Sequence, residues 1–535
     1  MSEPGGEPTG RADERVALSG GKLRGFVERA VAEVRDGARE LAAQLGRRRL
    51  LAIGLLLLLL ASPWPPLTVA ALAAYVVVAF KLPGLTTALL PLAFPFAYQP
   101  KSLFGPEFPV VELLLLVGLA TSGVQLLAVW RRTAHAGTGS AAILDLWDEA
   151  KRVLGGSFGQ QAAALALIAT FSLFTVADPA HLRESLREYR TVIIEPLLYF
   201  FLARHWLRAR ELRQIAIGAF VGGAALVGLL AIGQVASGQG VVATEGVRRA
   251  LGTYNHPNAL ALYLLRATAF ATALAVLSGV PRQARALRLC LPIIGVALLL
   301  TFSRGAFLGL VVALAVLLLF VGWRNARGGI LAVGIAAVAL IALALAGFAV
   351  VRGGGDSLGL RQLIWRSALA IIRDHPAFGV GLDQFLTQYS PRYIQPAAWD
   401  ERFTSHPHNL FLDFWVRLGI MGFAWVAWTL ISLVSSLARA WRLAAPAPPP
   451  TPPPRGRGAK GRQPLAATSE AVAASAEARA LLIAAGVACI AAFTHGLLDN
   501  FYFLIDLAFA WWLLLALAQI GAGDAAGAAE PVEGW

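Results

Sequence analysis

The sequence predicts an all-α protein, a polytopic bundle of transmembrane helices. Of its 535 residues, 57% are hydrophobic and only 15% are charged, whereas soluble domains carry about 25% charged residues. The mean hydropathy is +0.63. Apolar runs approaching the length of about 20 residues that a helix needs to cross a bilayer recur along the chain. These observations exclude an ordinary soluble enzyme.

The apolar runs give fourteen candidate spanning segments. The first three are short and are bounded by prolines, so two of them could form one broken hairpin. We therefore expect 12 to 14 spans. The candidate segments are 50–63, 66–80, 84–98, 110–130, 160–177, 191–206, 212–237, 257–280, 286–302, 304–323, 329–351, 409–438, 477–498 and 501–520.

The distribution of lysine and arginine gives the orientation of these segments. If the arginine-rich N-terminus lies inside the cell, the inner loops carry basic clusters, from Arg131 and Arg132 to the run 455–462. This is the positive-inside bias of membrane proteins, and it predicts that both termini are cytoplasmic. The bias also accounts for the net charge of +14. Since no nucleic-acid recognition motif accompanies that charge, we expect membrane lipids and no nucleic acid as partners.

Composition divides the chain into segments. The N-terminal tail places valine and leucine at helical spacing among arginines, so it is either a basic helix on the membrane surface or a disordered tail. Residues 443–465 are rich in proline and basic residues, which favours an extended linker. The expected segments are a cytoplasmic basic tail (1–49), transmembrane helices 1–11 (50–351), a large periplasmic loop (352–408), a transmembrane helix (409–440), a proline-rich cytoplasmic linker (441–476), the last two transmembrane helices (477–520) and a C-terminal tail (521–535).

Polar side chains collect on the predicted outer face, which is where we expect the chemistry. Arginines at a membrane surface without excess carboxylates favour an anion such as phosphate, which guanidinium binds through two parallel hydrogen bonds. The stretch GTYNHPN, at 252–258, begins a helix on this face and brings a tyrosine and a histidine to it. The candidate substrate-binding residues are Arg187, Arg190, Tyr254, His256, Arg304, Arg361 and Arg366.

Arg304 is the most specific of these candidates. It lies in a short outer turn between two apolar segments, where arginine runs against the positive-inside bias. Ser303 and Gly305 beside it suggest a bent backbone that aims the side chain. The alternative is an arginine that extends to the lipid headgroups without binding a substrate.

His408 is the candidate catalytic residue, because the ordinary pKa of histidine, near 6.5, suits proton abstraction from a hydroxyl group. It lies where a polar loop becomes an apolar helix, and Asn409 marks the start of that helix. The alternative is a histidine that only hydrogen-bonds the helix end. His406 is a less convincing candidate for the same role. A zinc site formed by both histidines would need further ligands at a suitable spacing. None is evident, so we expect no metal and no other cofactor.

Several further residues are more typical of structure than of catalysis. Asp413 and Arg417 are four residues apart on one helix and can neutralise each other. Gly419 and Gly422 would allow a neighbouring helix to approach closely. His495 and Asp499, also four residues apart, are either a pair that supports the site or a helix cap. Cys290 and Cys489 lie in apolar runs, so the sequence indicates neither a disulfide nor a cysteine metal site.

Four stretches and a closing segment resemble the bacterial O-antigen ligase and O-antigen polymerase superfamily. In order, they are GTYNHPNALALYL at 252–264, TFSRGAFLGL at 301–310, RQLIWRSALAIIRDHPAFGVGLDQF at 361–385, the pattern His408-Asn409 with Gly419-Ile420-Met421-Gly422 after nine residues, and HGLLDNFYFLIDLAFAWWLLLAL at 495–517. The resemblance covers about residues 160 to 520. The basic tail and the proline-rich insert depart from the pattern, and fourteen spans would exceed the twelve usual for the ligases.

The resemblance implies a GT-C-like helical fold and a metal-independent, inverting glycosyl transfer at the outer face of the bacterial inner membrane. The donor would be a glycan on undecaprenyl diphosphate, and the acceptor a sugar hydroxyl of a glycan chain or of the lipid A core. By position, His408 matches the histidine proposed to deprotonate the acceptor. Arg304 and Arg361 match arginines thought to hold the donor diphosphate.

Three functions remain open from the sequence. A ligase and a repeat-unit polymerase share fold, donor and motifs, and they differ only in the acceptor. A transporter of lipid-linked glycans is the alternative from another class, although such folds commonly have inverted repeats and ionisable residues near the membrane midplane. Here the polar groups gather at one face, which favours the enzyme. The sugars that are joined and the oligomeric state are not specified.

Overall fold

The computed structural model describes residues 46–135, 147–148, 151–152, 154–244, 247–322, 357–444 and 469–527. The first 45 residues of the basic tail, the predicted span 329–351 and most of the proline-rich linker lie outside these ranges. The predicted positions of those segments therefore stay predictions.

The described residues form a helical bundle, as the sequence predicts. The helices are α1 (46–61), α2 (Pro65–Lys81), α3 (Leu85–Leu89), α4 (Val110–His135), α5 (Gly156–Ser172), α6 (Leu182–Glu188), α7 (Glu195–Trp206), α8 (Arg210–Ser237), α9 (Pro257–Leu277), α10 (Pro281–Leu299), α11 (Arg304–Gly322), α12 (Ser357–Asp374), α13 (Phe385–Gln388), α14 (Leu410–Ala444), α15 (Ser469–Gly496) and α16 (Ile505–Gly527). Shorter 3-10 or π turns are Leu90–Phe96, Pro179–His181, Tyr189–Ile194, Tyr389–Tyr393 and Pro396–Glu401.

Within the described ranges, seven helices are long and apolar enough to cross a membrane. They agree with seven of the predicted segments, and they make the chain a multi-pass membrane protein. The seven segments are Val110–Arg131, Arg210–Ser237, Pro257–Leu277, Arg304–Val321, Leu410–Arg442, Ala474–Gly496 and Ile505–Asp524. The total of 12 to 14 stays a prediction.

The segment 84–98 does not form the single long helix that a simple span requires. Five residues of α3 are followed by the 3-10 turn Leu90–Phe96, and both are almost wholly buried. Pro91 and Pro95 explain the change, because proline has no N–H to donate to the helical ladder. The first predicted hairpin is likewise broken at residues 62–64, between α1 and α2.

The centre of the bundle is α15, which packs against α9, α11 and α16. The apolar stretches of α9, α15 and α16 are mostly buried within the protein, whereas less than half of the apolar stretch is buried in each of α4, α11 and α14. An exposed apolar helix face suits contact with lipid. The candidate residues meet at one end of this buried core.

Two small antiparallel hairpins occur in the described residues, and the sequence did not indicate them. One pairs β1 (Lys101–Ser102) with β2 (Glu107–Phe108), and the other pairs β3 (Val241–Thr244) with β4 (Val247–Ala250). The second hairpin lies against the end of α10, because the Ala250 N–H donates to the carbonyl of Leu300 at 3.0 Å. This contact brings β4 next to the turn that precedes Arg304.

A buried ion network fixes α14 to α6. Arg417 donates from Nε to Asp413 at 2.8 Å, which confirms the predicted pair. Its Nη1 also donates to Glu188 at 2.7 Å, a partner that the sequence did not reveal. Its Nη2 donates to the carbonyl of Ser405 at 3.2 Å. Arg417 therefore supports the loop that leads to His406 and His408.

The helix α14 is bent at Gly419, which has φ +67° and ψ −162°. This backbone region is essentially restricted to glycine. A Cβ atom at this position would overlap the carbonyl group of Ala377. The predicted close approach therefore occurs, but its partner is the backbone of the loop after α12 rather than a neighbouring spanning helix.

Replacing Gly419 by alanine should lower the free energy of unfolding by about 2 kcal/mol or more, through backbone strain and the clash with Ala377. Thermal unfolding of the purified protein in detergent would measure this as a lower midpoint. Gly233→Ala is the matched control, because Gly233 lies in α8 with open space around it. Equal midpoints for the two variants would contradict the assigned bend.

Candidate active site

The candidate residues meet in a cavity of about 230 Å³ at one end of the bundle. Segments far apart in the chain line it: the β4 strand, the starts of α9 and α11, the helix α12, the loop before α14 and the turn after α15. The lining residues are Arg249, His256, Asn258, Phe302, Ser303, Arg304, Gly305, Leu360, Arg361, Ile364, Glu401, His408, His495, Leu498 and Asp499. The lining is mainly polar, and arginine dominates its charge.

Asp499 lies at the centre of the hydrogen bonds in this cavity. It follows α15 in a turn and is buried, with only 4% of its surface exposed. Oδ2 accepts a hydrogen bond from Asn258 Nδ2 at 2.6 Å, and Oδ1 accepts from the Asn500 N–H at 2.8 Å. Arg361 Nη2 lies 3.6 Å from Oδ2. A buried carboxylate needs such donors, because an unpaired charge away from water is strongly unfavourable.

His408 is aimed at Asp499 by the start of α14. Asn409 caps the helix, since its Oδ1 accepts from the N–H groups of Phe411 at 3.0 Å and Leu412 at 3.2 Å. Asn409 Nδ2 also donates to the carbonyl of Leu497, which ties the cap to the turn carrying Asp499. His408 itself has φ +50°, an uncommon conformation for any residue but glycine.

The contact between His408 and Asp499 defines which ring nitrogen is basic. His408 Nδ1 lies 3.1 Å from Asp499 Oδ1. The carboxylate can only accept, so Nδ1 carries the proton and donates it. In the neutral ring Nε2 is then the free acceptor. This is the arrangement of a general base held by an acidic partner.

His406 stands beside His408, with ring centres 4.3 Å apart. Its Nε2 lies 3.6 Å from Asp499 Oδ1, which makes it an electrostatic neighbour rather than a hydrogen-bond donor. Burial lowers the pKa of His406, and His408 adds to this effect. Burial alone would raise the pKa of Asp499, but the two imidazoles hold it well below its usual range. Asp499 is therefore a carboxylate at neutral pH.

The two histidines and Asp499 could in principle hold a metal ion. Their ligand atoms lie within 4.8 Å of one another. Asp499 supplies the further ligand that the sequence did not reveal, because it is distant in the chain. Arg361, however, lies 3.6 Å from the same carboxylate, and Arg249 and Arg304 line the cavity. Repulsion from these guanidinium groups disfavours a divalent cation, so the donor set suits a hydrogen-bonded base and an anion better than a metal.

Arg304 begins α11 at the edge of the cavity, after a tight turn. Phe302 has φ +48°, which confirms the bent backbone that the sequence suggested. At Gly305, a Cβ atom would overlap the ring of His495. The His495 ring in turn lies near Ser303, with Nε2 and Oγ 3.4 Å apart. His495 is thus packed against the turn that presents Arg304.

The sequence analysis missed Arg249 and the contribution of Asn258 to the cavity. Arg249 donates from Nε to the carbonyl of Thr301 at 2.7 Å and from Nη2 to Asn258 Oδ1 at 2.6 Å. Asn258 bridges Arg249 and Asp499. The stretch GTYNHPN does contain Asn258, but it indicated only a helix start. His256 caps α9 through Nδ1 at 3.1 Å from the Asn258 N–H, and burial lowers the pKa of His256.

Four candidate substrate-binding residues do not line this cavity. The Tyr254 hydroxyl is buried and donates to Asp506 at 2.8 Å. Arg366 is exposed on α12. Arg187 and Arg190 line a separate, open pocket of about 520 Å³.

The charges of Arg187 and Arg190 are already compensated by carboxylates. Arg187 lies 3.3 Å from Asp383, and Arg190 pairs with Glu112 and Glu195. Arg304 and Arg361, by contrast, line the cavity that also contains His408 and Asp499.

Comparison with known families identifies part of the chain. Residues 289–427 match the family model described as O-antigen ligase. The matched stretch contains Arg304, Arg361 and His408, whereas Asn258 and Asp499 lie outside it. A search of curated proteins finds no match.

Inorganic diphosphate should bind to this cavity, and Arg304→Ala or Arg361→Ala should weaken its binding about tenfold or more, since each removes a charge-assisted contact. Isothermal titration of the detergent-purified protein would measure the dissociation constants. Arg187→Ala is the control and should change the constant less than about twofold. A loss at Arg187 equal to that at Arg304 would contradict the assignment.

Proposed function

The chain belongs to the O-antigen ligase superfamily through residues 289–427, and from this premise we propose that it is a membrane glycosyltransferase. It moves a glycan from undecaprenyl diphosphate to a sugar hydroxyl on the periplasmic side of the bacterial inner membrane. The lysine and arginine of the predicted inner loops support this orientation. A multi-pass helical bundle gives such a lipid-linked donor direct access to the site from the membrane.

The observation that carries the proposal is the hydrogen bond between His408 Nδ1 and Asp499 inside an arginine-lined cavity. The carboxylate holds the imidazole in the tautomer with a basic Nε2 and stabilises the imidazolium that forms on protonation. Arg304 and Arg361 supply positive charge in the same cavity. One site therefore contains both a base for a hydroxyl group and a binding place for a diphosphate.

The proposed reaction is a single displacement. His408 Nε2 takes the proton of the acceptor hydroxyl while its oxygen attacks the anomeric carbon of the donor sugar. The bond from that carbon to the diphosphate oxygen breaks, and the diphosphate leaves with the electron pair. Arg304 and Arg361 neutralise the charge that develops on the leaving group. Attack from the side opposite the leaving group inverts the anomeric carbon.

This reaction is metal-independent in our proposal. Glycosyl transfer from a diphosphate needs positive charge at the leaving oxygen, and either a divalent cation or guanidinium groups can provide it. The cavity provides guanidinium groups around a carboxylate that already accepts three hydrogen bonds. We infer that these arginines take the role that a metal ion has in other glycosyltransferases.

The surroundings of Arg304 also suit a lipid-linked donor. Leu308 is four residues after Arg304 on α11, so both project from the same face of the helix. Leu308 and Leu319 are among the exposed apolar side chains of the protein. A diphosphate held at Arg304 would leave its polyprenyl chain beside this apolar helix, in contact with the membrane. The donor need not enter the bundle.

The proposal does not specify which acceptor is used. A ligase would join the glycan to a sugar of the lipid A core, whereas a polymerase would extend another lipid-linked glycan. Both use the same donor and the same base. The size distribution of the product separates them.

The test is transfer in vitro from undecaprenyl diphosphate-linked glycan to candidate acceptors, with EDTA present. We expect His408→Ala to lower the rate about 100-fold or more, because general-base catalysis contributes about that much. Arg304→Ala should lower it through weaker donor binding and a poorer leaving group. Asp499→Asn should also lower it about tenfold or more, since an amide cannot stabilise the imidazolium. Arg187→Ala serves as the control with near wild-type activity.

Each possible result tests a different part of the proposal. A single added glycan indicates a ligase, and a ladder of lengths indicates a polymerase. Full activity of His408→Ala would contradict the assigned base, and loss of activity in EDTA that is restored by a divalent cation would contradict metal independence. No transfer to any acceptor, combined with donor movement across liposomes, would favour a transporter.

A further inference from the structure

A continuous chain of hydrogen bonds connects the turn before Arg304 to the imidazole of His408. It begins at the carbonyl of Thr301, which accepts from Arg249 Nε at 2.7 Å. Arg249 Nη2 donates to Asn258 Oδ1 at 2.6 Å, and Asn258 Nδ2 donates to Asp499 Oδ2 at 2.6 Å. Asp499 Oδ1 meets His408 Nδ1 at 3.1 Å. Four segments far apart in the chain take part in these contacts.

Arg249 is brought to the turn by the β3–β4 hairpin. The Ala250 N–H donates to the carbonyl of Leu300, and Arg249 adds a second bond to the next residue, Thr301. Arg304 lies three residues after Thr301. A shift of the hairpin would therefore move the residues that lead into Arg304.

Asn258 is the residue type that this position requires. Its neighbours are a guanidinium on one side and a carboxylate on the other, so its side chain must accept from the first and donate to the second. An amide does both with one planar group. An aspartate could accept from Arg249, but it would face Asp499 with a like charge. An alanine would leave Asp499 Oδ2 without its nearest donor.

From this geometry we propose that Arg249 and Asn258 are positioning residues, which hold the arginine turn at Thr301–Arg304 and the Asp499–His408 pair in one fixed arrangement. The inference rests on the proposed function and deepens it. The acceptor hydroxyl and the donor diphosphate must meet at a defined separation, and a displacement of about 1 Å can lower a rate about 100-fold. Neither residue is required to touch the reacting atoms.

Other charged groups also surround Asp499 and influence its protonation. Any pH measurement on these variants must take them into account. The titratable and charged groups that face it from the surrounding segments are Arg249, His256, Arg304, Arg361, Glu401, His406, His408 and His495. The variants below leave all of these groups in place except Arg249, where lysine keeps the positive charge.

The experiment compares Asn258→Asp, Asn258→Ala and Arg249→Lys with the wild type in the transfer assay across pH 5 to 9. We expect kcat to fall about 10- to 100-fold for each variant. Binding of undecaprenyl diphosphate without a glycan should change less than about threefold, because Arg304 and Arg361 remain. Asn258→Asp should also move the acid limb of the kcat profile upward by about one pH unit, since the added negative charge stabilises the protonated imidazole.

Arg248→Lys is the matched control, because Arg248 is the exposed neighbour of Arg249 on β4 and does not line the cavity. It should retain wild-type kcat and pH profile. Thermal unfolding of every variant in detergent confirms that the protein is folded.

The outcomes separate this inference from the proposed function. If the wild type transfers glycan and His408→Ala does not, the proposed function stands. Under those conditions, unchanged kcat in Asn258→Asp and Arg249→Lys would overturn the positioning role. Lower unfolding midpoints without a lower kcat per folded molecule or a shifted acid limb would also overturn it, because they indicate a structural role. If the wild type transfers nothing, the proposed function fails and the positioning role fails with it.

Discussion

The burial of the Asp499 carboxylate is the constraint on which the candidate site depends. A charge removed from water is tolerated only where hydrogen-bond donors and opposite charges replace the lost hydration. For Asp499, Asn258 at the start of α9 and His408 before α14 provide hydrogen bonds, and Arg361 on α12 adds a positive charge 3.6 Å away. One buried charge therefore fixes three segments relative to the turn between α15 and α16. The convergence of the site follows from this electrostatic requirement.

A second network of ion pairs and hydrogen bonds, centred on Arg417, fixes the loop that contains His406 and His408. Arg417 binds Asp413 and Glu188 and also donates to the carbonyl of Ser405, one residue before His406. Breaking such a buried pair would leave an uncompensated charge, so the network resists local opening. The loop is thus fixed by Arg417 at Ser405 and by the Asn409 cap at the start of α14. A histidine held at both ends can keep the positive φ that directs its ring to Asp499.

The sequence was sufficient to predict that Arg304, Arg361 and His408 lie at one face of the membrane. Positive-inside bias and the order of the spans determine the position of a residue along the membrane normal. They do not place residues within the plane of the membrane. For that reason Arg187 and Arg190, predicted on the same face, are found in a different pocket, and Tyr254 faces Asp506 instead of the cavity. Lateral position depends on how helices pack, and the packing of α9, α11 and α15 is a property of the folded core. Arg249 was missed for the same reason, since only a hairpin contact brings it to Thr301.

Two residues of this site have strained backbone conformations. Among the described residues other than glycine, positive φ values occur at Phe104, Phe302, Asp383 and His408. Phe302 leads into the start of α11, where Arg304 lies, and His408 is itself the proposed base. Strained conformations persist only where the surrounding contacts determine them, and here the Arg249–Asn258–Asp499 chain connects the two strained segments. A rigid arrangement of this kind places charge and base before the substrate arrives, so little reorganisation is needed at the moment of transfer. The hydrogen bonds that make burial of Asp499 possible are therefore the same ones that would make the site competent for catalysis.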